Sequence, residues 1–460
     1  MKKKYFAIAF SLVITANLPF VHGQKALSLD DCRRLAIENN RNLKIATEQE
    51  RVAYYQKKEA FSKYLPEFSA MGAYVRLQHT MNLFPESVTL PPIGSLPSIT
   101  LPIPEDLGEI DVRNIYVGSL SLTQPLFMGG RIVAYNDIRK NAELLAKAQK
   151  DSKLQDVISD LDAAYWQVIS LSWKQVLAKS YTDLLKKMDS DVDVMVKEGV
   201  ATKADYLTVN VKLNEAEMAL TKVENGLSLS RMLLNQMCGL DISESNKLVD
   251  ENREIAVDES AEPTVLNMEE ALNNRPEIQS LQLATKIYKG KEKVALAEFL
   301  PQAGLRLGYT WTNPNFERGF EKKISGGWNA ALFVKVPFSF GSGPNLNAAK
   351  AETIISQLQL EDAKQKIELQ VNQSTYKLNE ATKKLGATKK NMDKADENLR
   401  YATAGFEEGV ITASDVLAAH TAWLQAHSEV IDASIDIKLC NVYLNKAMGR
   451  TLYQEEKENK

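Results

Sequence analysis

Glu198-Gly199-Val200-Ala201-Thr202-Lys203-Ala204-Asp205-Tyr206-Leu207 recurs 210 residues later as Glu408-Gly409-Val410-Ile411-Thr412-Ala413-Ser414-Asp415-Val416-Leu417. The same offset carries Leu234-Asn235 and Gly239 onto Leu444-Asn445 and Gly449. Upstream the offset is 235, and Ala36, Asn39, Lys58, Ala60, Leu65-Pro66 and Tyr74 meet Ala271, Asn274, Lys293, Ala295, Leu300-Pro301 and Tyr309. Between these two regions it is 212, with Leu120, Pro125 and Gly129 meeting Leu332, Pro337 and Gly341. The matches keep one order along the chain, which marks an internal duplication.

Each half reads as helix, strand, loop, strand, very long helix, tight turn, helix. The first helix spans about 29–64 and its copy about 268–299; both stop at Leu-Pro, where proline disfavours helix in the residue before it. Residues 302–312 alternate, with Ala303, Leu305, Leu307, Tyr309 and Trp311 on one face, and 328–336 and 115–124 do the same. Residues 67–79 alternate less cleanly. Period two marks strands, and nine to thirteen residues suffice for a tilted bilayer crossing. The intervening segments, a proline-rich 81–113 and 313–327 with Gly326-Gly327, read as external loops.

No glycine or proline occurs from Arg131 to Glu198, which predicts about 100 Å of helix. Leu154, Ile158, Leu161, Tyr165 and Val168, then Leu177, Tyr181, Leu184 and Met188, form a seam of coiled-coil period. Residues 345–404 repeat the feature, and 202–238 and 412–447 are the shorter helices that return from the turns. Between the halves, 239–267 is acidic (Asp241, Glu244, Asp250, Glu251, Glu254, Asp258, Glu259, Glu262) and reads as a solvated joint.

Lys2, Lys3 and Lys4 precede an apolar Tyr5–Phe20 stretch and a Val21-His22-Gly23 cleavage site, as in a secretory signal. The domain reading is therefore 1–23 signal peptide, 24–239 first repeat, 240–266 equatorial linker, 267–449 second repeat and 450–460 tail. No later segment is apolar enough for a transmembrane helix. The net charge of −3 argues against nucleic acid as a partner. Cys32, Cys238 and Cys440 are odd in number and widely spaced, which disfavours a disulfide framework, a metal knuckle or a lipidated N-terminus and leaves buried packing. His420 and His427 share a helix face without an acidic partner motif, so no metal site, cofactor or catalytic residue is expected.

Four strands cannot close a barrel, and open sheet edges cannot lie in lipid, so closure has to come from other copies. Three chains give twelve strands, an even antiparallel number with room for a lumen. The expected fold is mainly α with a membrane β-barrel. A duplicated helix-strand-strand-long helix-helix unit builds a trimeric twelve-stranded barrel continued by an α-helical coiled-coil tunnel. A soluble periplasmic coiled-coil adaptor or scaffold shares the signal and the heptads but has no use for four membrane-length strands.

The opening Leu27-Ser28-Leu29-Asp30-Asp31, the joints Tyr64-Leu65-Pro66 and Phe299-Leu300-Pro301, the strand-to-helix segment Pro125-Leu126-Phe127-Met128-Gly129-Gly130-Arg131 and the two Glu-Gly-Val turns together resemble the TolC-like outer membrane efflux family over nearly the whole mature chain. That resemblance implies a passive outer-membrane duct, a homotrimer in outer-membrane lipid. It implies a periplasmic membrane-fusion adaptor and an inner-membrane efflux or secretion transporter as partners. It also implies a gate aspartate at Asp415, a gate-linking polar contact at Asp205, and adaptor contacts at Gly199, Val200, Thr202, Gly409, Val410 and Thr412. The chain departs from the family pattern at Ala418, where a second gate aspartate is expected, at Ile411, in place of a basic locking residue, and at Phe406, in place of a tyrosine. From the residues alone, each glycine suits a helix stop and each Thr-x-x-Asp a helix start.

Overall fold

A computed structural model describes residues 26–92, 97–104, 108–252, 267–315 and 323–450. The signal peptide, the second part of the linker and nearly all of the tail lie outside them. The chain is mostly helical. In order it runs α1 (Leu29–Asn39), α2 (Arg41–Ser62), β1 (Glu67–Arg76), β2 (Met81–Asn82), β3 (Ser87–Leu90), β4 (Ile99–Pro102), β5 (Glu109–Ile110), β6 (Asn114–Met128), α3 (Arg131–Lys197), α4 (Lys203–Cys238), α5 (Met268–Asn274), α6 (Pro276–Leu296), β7 (Gln302–Asn313), β8 (Ser325–Lys335), α7 (Ser342–Glu407) and α8 (Ala413–Ala447). Two compact units draw on both repeats: one comprises residues up to Arg41, Leu154–Leu266 and Val371 onward, the other Asn42–Lys153 and Asn267–Gln370.

The second unit carries an antiparallel sheet in the order β1-β6-β7-β8. Its register aligns like with like across all four strands. Phe68, Leu122, Leu307 and Ala330 form one row, and Ala70, Leu120, Tyr309 and Trp328 the next. On the opposite face Ser69, Ser121, Gly308 and Asn329 align, with the two serine hydroxyls 2.7 Å apart. The sheet therefore has one apolar face and one small or polar face. The apolar one is open: Phe68 is 76% and Trp328 80% exposed. Tyr74, Tyr116, Tyr309, Trp311 and Trp328 all lie on it and form an aromatic cluster on the open face.

Three boundaries differ from expectation. β8 begins at Ser325 and absorbs Gly326-Gly327, because a side chain at Gly326 would come 2.7 Å from the Tyr309 ring. β6 continues through Pro125 to Met128 by a register shift between Pro125 and Phe127. The loop 81–113 is not wholly irregular: β2 pairs β5 and β3 pairs β4, extending the β1–β6 hairpin.

The first helix of each repeat is also broken, at Asn40 (ψ 123°) and Arg275 (ψ 119°), equivalent positions under the duplication. Pro276 forces the second break; no proline follows Asn40. In the same unit, small residues let helices approach closely: Ala46, Ala53 and Ala60 line the buried face of α2, and a Cβ on Gly290 of α6 would lie 2.5 Å from Ile138 of α3.

In the first unit the long-helix seam is buried at Ile158, Leu161, Tyr165 and Val168. Lower down, Leu185 and not Leu184 keeps the heptad with Tyr181, Met188 and Val192, and Leu184 faces outward. The joint is only partly solvated: Asp250 accepts a 2.7 Å hydrogen bond from the Tyr165 hydroxyl, and buried Glu251 pairs with Arg231 at 3.0 Å. Of the cysteines, Cys32 and Cys238 are buried as expected, but Cys440 is half-buried beside the α7–α8 seam of Leu378, Ala381, Leu385, Val430, Ala433 and Ile437.

At the strand-to-helix joint Gly129 and Gly130 take φ of +61° and +83°, a conformation that costs any other L-residue about 1–2 kcal/mol. A Cβ on Gly129 would also sit 2.8 Å from Leu300 Cβ and 2.9 Å from the Ala297 carbonyl, whereas one on Gly130 meets nothing. Gly129→Ala is therefore expected to lower the thermal midpoint, followed by circular dichroism, clearly more than Gly130→Ala; equal losses would show that the Leu-Pro joint does not rest on Gly129.

Candidate functional site

The two duplicated turns lie at one end of the first unit. α3 and α7 both stop by the same device. The Gly199 amide bonds the Val196 carbonyl at 3.1 Å and the Val200 amide bonds Met195 at 2.8 Å; Gly409 and Val410 repeat this on Phe406 and Gly405 at 3.0 and 2.8 Å. This is a Schellman stop, and it needs the φ of +75° and +72° that Gly199 and Gly409 supply. The residue after such a glycine usually packs back on the helix. Here Val200 is 77% and Val410 81% exposed, so each tip offers a bare apolar side chain.

Thr202 and Thr412 start the return helices. The Asp205 amide donates to Thr202 Oγ1 at 3.2 Å, while the Thr202 amide and hydroxyl donate to Asp205 Oδ2 at 2.9 and 2.6 Å. This reciprocal capping box holds the exposed Asp205 carboxyl below the usual carboxylate range, chiefly through the Thr202 hydroxyl. At the second turn the Asp415 amide donates to Thr412 Oγ1 at 3.3 Å and the Thr412 hydroxyl to Asp415 Oδ2 at 2.7 Å. Asp415 and Ala418, one turn apart on α8, are both exposed.

One apolar cluster unites the turns: Leu185, Met188, Val192, Val209, Ala413, Val416 and Leu417 form its centre, with Ala201, Tyr206, Phe406 and Ile411 packed against it. Two of the three departures from the family pattern, Phe406 and Ile411, are thus packing residues, while Ala418 is exposed. Ile411 lies over Gly405, where a Cβ would come within 2.6 Å of its Cδ1. The sequence marks Gly199, Gly409, Thr202 and Thr412 through their cap chemistry, but Gly405 inside a helix carries no local signal.

Within α8 the two histidines part company. His427 Nε2 lies 2.8 Å from Asp396 Oδ1 and its ring is 4.4 Å from that of Trp423. His420 is buried and its Nδ1 has no hydrogen-bond partner.

The model of the family described as outer membrane efflux protein matches residues 33–240 and 267–450. The chain belongs to the outer membrane efflux protein family. Solved structures share this efflux-protein fold. CusC, studied for transmembrane channel formation, has a TM-score of 0.74 at 16% identity over 92% of both chains. The outer membrane protein VceC of Vibrio cholerae has a TM-score of 0.73 at 14% identity, over 92% of this chain and 97% of that one. The Campylobacter jejuni CmeC outer membrane channel also has a TM-score of 0.73, at 16% identity over 92% and 85%. No protein of curated function matches the efflux-protein chain by sequence.

Burial pushes the His420 imidazole down to about 4 from its ordinary 6.5. A base whose folded value is depressed contributes stability above its unfolded value and loses it as pH falls through the folded one. Stability near the tip is expected to drop between pH 6.5 and 4, by on the order of 2–3 kcal/mol. His420→Gln is expected to flatten that part of a urea-midpoint-against-pH curve; an unchanged slope would acquit His420.

Proposed function

We propose that this chain is the outer-membrane exit duct of a tripartite efflux pump or type I secretion system. It acts as a homotrimeric, passive conduit and not as a catalyst. The observation that carries the reading is the four-stranded sheet with one continuous apolar face and, among the described residues, an unpaired outer edge on both β1 and β8. Hiding each large apolar side chain from water is worth about 1.5–3 kcal/mol, so such a face favours lipid over water. Two open edges favour closure by identical neighbours into a twelve-stranded barrel. The polar face, with Ser69, Ser121, Thr310 and Asn329, then lines the lumen.

In this reading residues 24–239 and 267–449 are the repeats, 240–266 the equatorial linker, and the helical part lies in the periplasm. A periplasmic membrane-fusion adaptor engages the tips, and an inner-membrane transporter supplies energy and cargo. Asp415, exposed and one turn from Ala418, rings the narrow end, with Asp205 beside it. Purified protein in planar bilayers should show channels whose current is blocked by divalent cations, and Asp415→Ala should weaken that block several-fold. Unchanged block would reject Asp415 as the ring, and absence of channels would reject the duct.

The bare Val200 and Val410 favour the tips as the adaptor's docking points. Because nothing lies within 4 Å of a Cβ on Gly199 or Gly409, a larger side chain there projects outward, at a backbone cost of about 1–2 kcal/mol for the left-handed conformation. Gly199→Trp combined with Gly409→Trp should cut adaptor cross-linking at least about tenfold, equivalent to 1.4 kcal/mol, while the trimer persists on native gels. Cross-linking at the wild-type level would place the adaptor elsewhere.

A further inference from the structure

Cys32 and Cys238 stand 206 residues apart and meet in the core of the first unit. Cys32, Ala36 and Asn39 make one stripe of α1, at spacings of four and three, and that stripe faces the end of α4. Cys238 is the last residue of α4, and its Sγ lies 3.7 Å from the Cys32 carbonyl oxygen. Asn39 Nδ2 reaches the Cys238 carbonyl at 3.5 Å, and a Cβ on Gly239 would come 2.4 Å from Asn39 Cβ, so the two helices touch with no space between them. Both cysteines are fully buried, at 0% and 1% exposure. Both thiols are free in the structure and each shifts the other: the neighbouring Cys238, then burial, raises Cys32, and the neighbouring Cys32 lowers Cys238.

We propose that Cys32 and Cys238 are joined by a disulfide in the exported protein. The proposal rests on the outer-membrane reading, since that route exposes the folding chain to an oxidising compartment. The oxidant is a disulfide of the thiol–disulfide exchange class, carried by a protein or by glutathione. The Cys238 thiolate attacks one sulfur of that disulfide, its proton having gone to solvent, and the other sulfur leaves as a thiolate. The Cys32 thiolate then attacks the Cys238 sulfur of the mixed disulfide, and the oxidant's second sulfur leaves. Two protein thiols give up two electrons and two protons, and the oxidant becomes two thiols, held in one chain for a protein disulfide and in two molecules for glutathione. Because both sulfurs are buried, exchange precedes the docking of α1 on α4.

The bond would anchor α1 where other ties already hold it. Leu27 pairs with Leu248, its amide donating to Lys247 and its carbonyl accepting from Val249. Arg33 grips the buried Asp162 at 2.6 and 2.8 Å. Closing so long a loop restricts the unfolded chain most, so the benefit appears as resistance to unfolding, with no change in the native contacts.

The test is acid quenching of whole cells, denaturation, alkylation and peptide mapping, with membrane fractionation of the same culture. A parallel arm treats purified protein in detergent and mild urea with diamide. A bridged Cys32–Cys238 peptide from the quenched cells that separates on reduction, with alkyl label on Cys440 alone, supports the disulfide; a bridge formed only under diamide, in protein that fractionates away from the outer membrane, supports the pairing and rejects instead the outer-membrane reading. Protein recovered in the outer membrane with all three cysteines alkylated overturns the proposal, as does failure to bridge under diamide wherever the chain is found. As an independent readout, reductant should lower the unfolding midpoint of the wild type and leave a Cys32→Ala, Cys238→Ala double variant unmoved.

Discussion

The outer edges of β1 and β8 carry backbone amides and carbonyls that no strand among the described residues pairs. In water such an edge is a liability; in hydrocarbon it is prohibitive, because each unsatisfied group costs several kcal/mol. The apolar face makes hydrocarbon the fitting medium, and the edges then require other copies of the same sheet. The rest of the chain follows from that requirement. A barrel shared among chains needs each protomer to present two hairpins in fixed register, and the joints at Gly129 and Pro301 fix how each hairpin meets its helix. A chain with these strands and no partners would leave its most apolar surface and its emptiest backbone exposed together.

How much of this was legible depended on whether the deciding contacts were local. β7 was plain because its two faces differ residue by residue. β1 was obscure because Met71 and Val75 share a face with Glu67, Ser69 and Ala73, blurring the alternation. The hairpin extension in 81–113 was hidden by its prolines, of which Pro102 nevertheless ends a paired strand. The break at Arg275 is announced by Pro276; the one at Asn40 is visible only through the duplication, since nothing after Asn40 forbids a helix. Leu184 was misplaced in favour of Leu185 because both fit a stripe of mixed three- and four-residue spacing, and only the facing helices choose between them.

The turns were readable because capping chemistry is confined to a few consecutive residues. The contacts that distinguish this chain from the family pattern were not. Ile411 lies on Gly405, His420 is buried without a partner for Nδ1, and Cys238 reaches Cys32 across most of the first repeat. Each depends on which surfaces the fold brings together, and an odd count of widely spaced cysteines predicts buried packing but not that Cys32 and Cys238 meet. The acidic joint teaches the same lesson. Asp250 and Glu251 look solvated in sequence, yet Tyr165 and Arg231 supply the donors that draw them inward.

The two copies of the turn have the same letters at the cap and different physics. Asp205 accepts from both the amide and the hydroxyl of Thr202, so its carboxylate is committed to holding the start of α4. Asp415 accepts from the Thr412 hydroxyl, and the reciprocal amide bond that completes the first box is not formed. A carboxylate with fewer fixed donors keeps more lone pairs for an ion or a neighbouring chain. It also faces a helix surface where Ala418 adds no second charge. Duplication supplied two equivalent helix starts; the second retains an aspartate that the cap uses less fully. That surplus is the physical reason the proposed gate falls at Asp415, with Asp205 acting as a structural clasp.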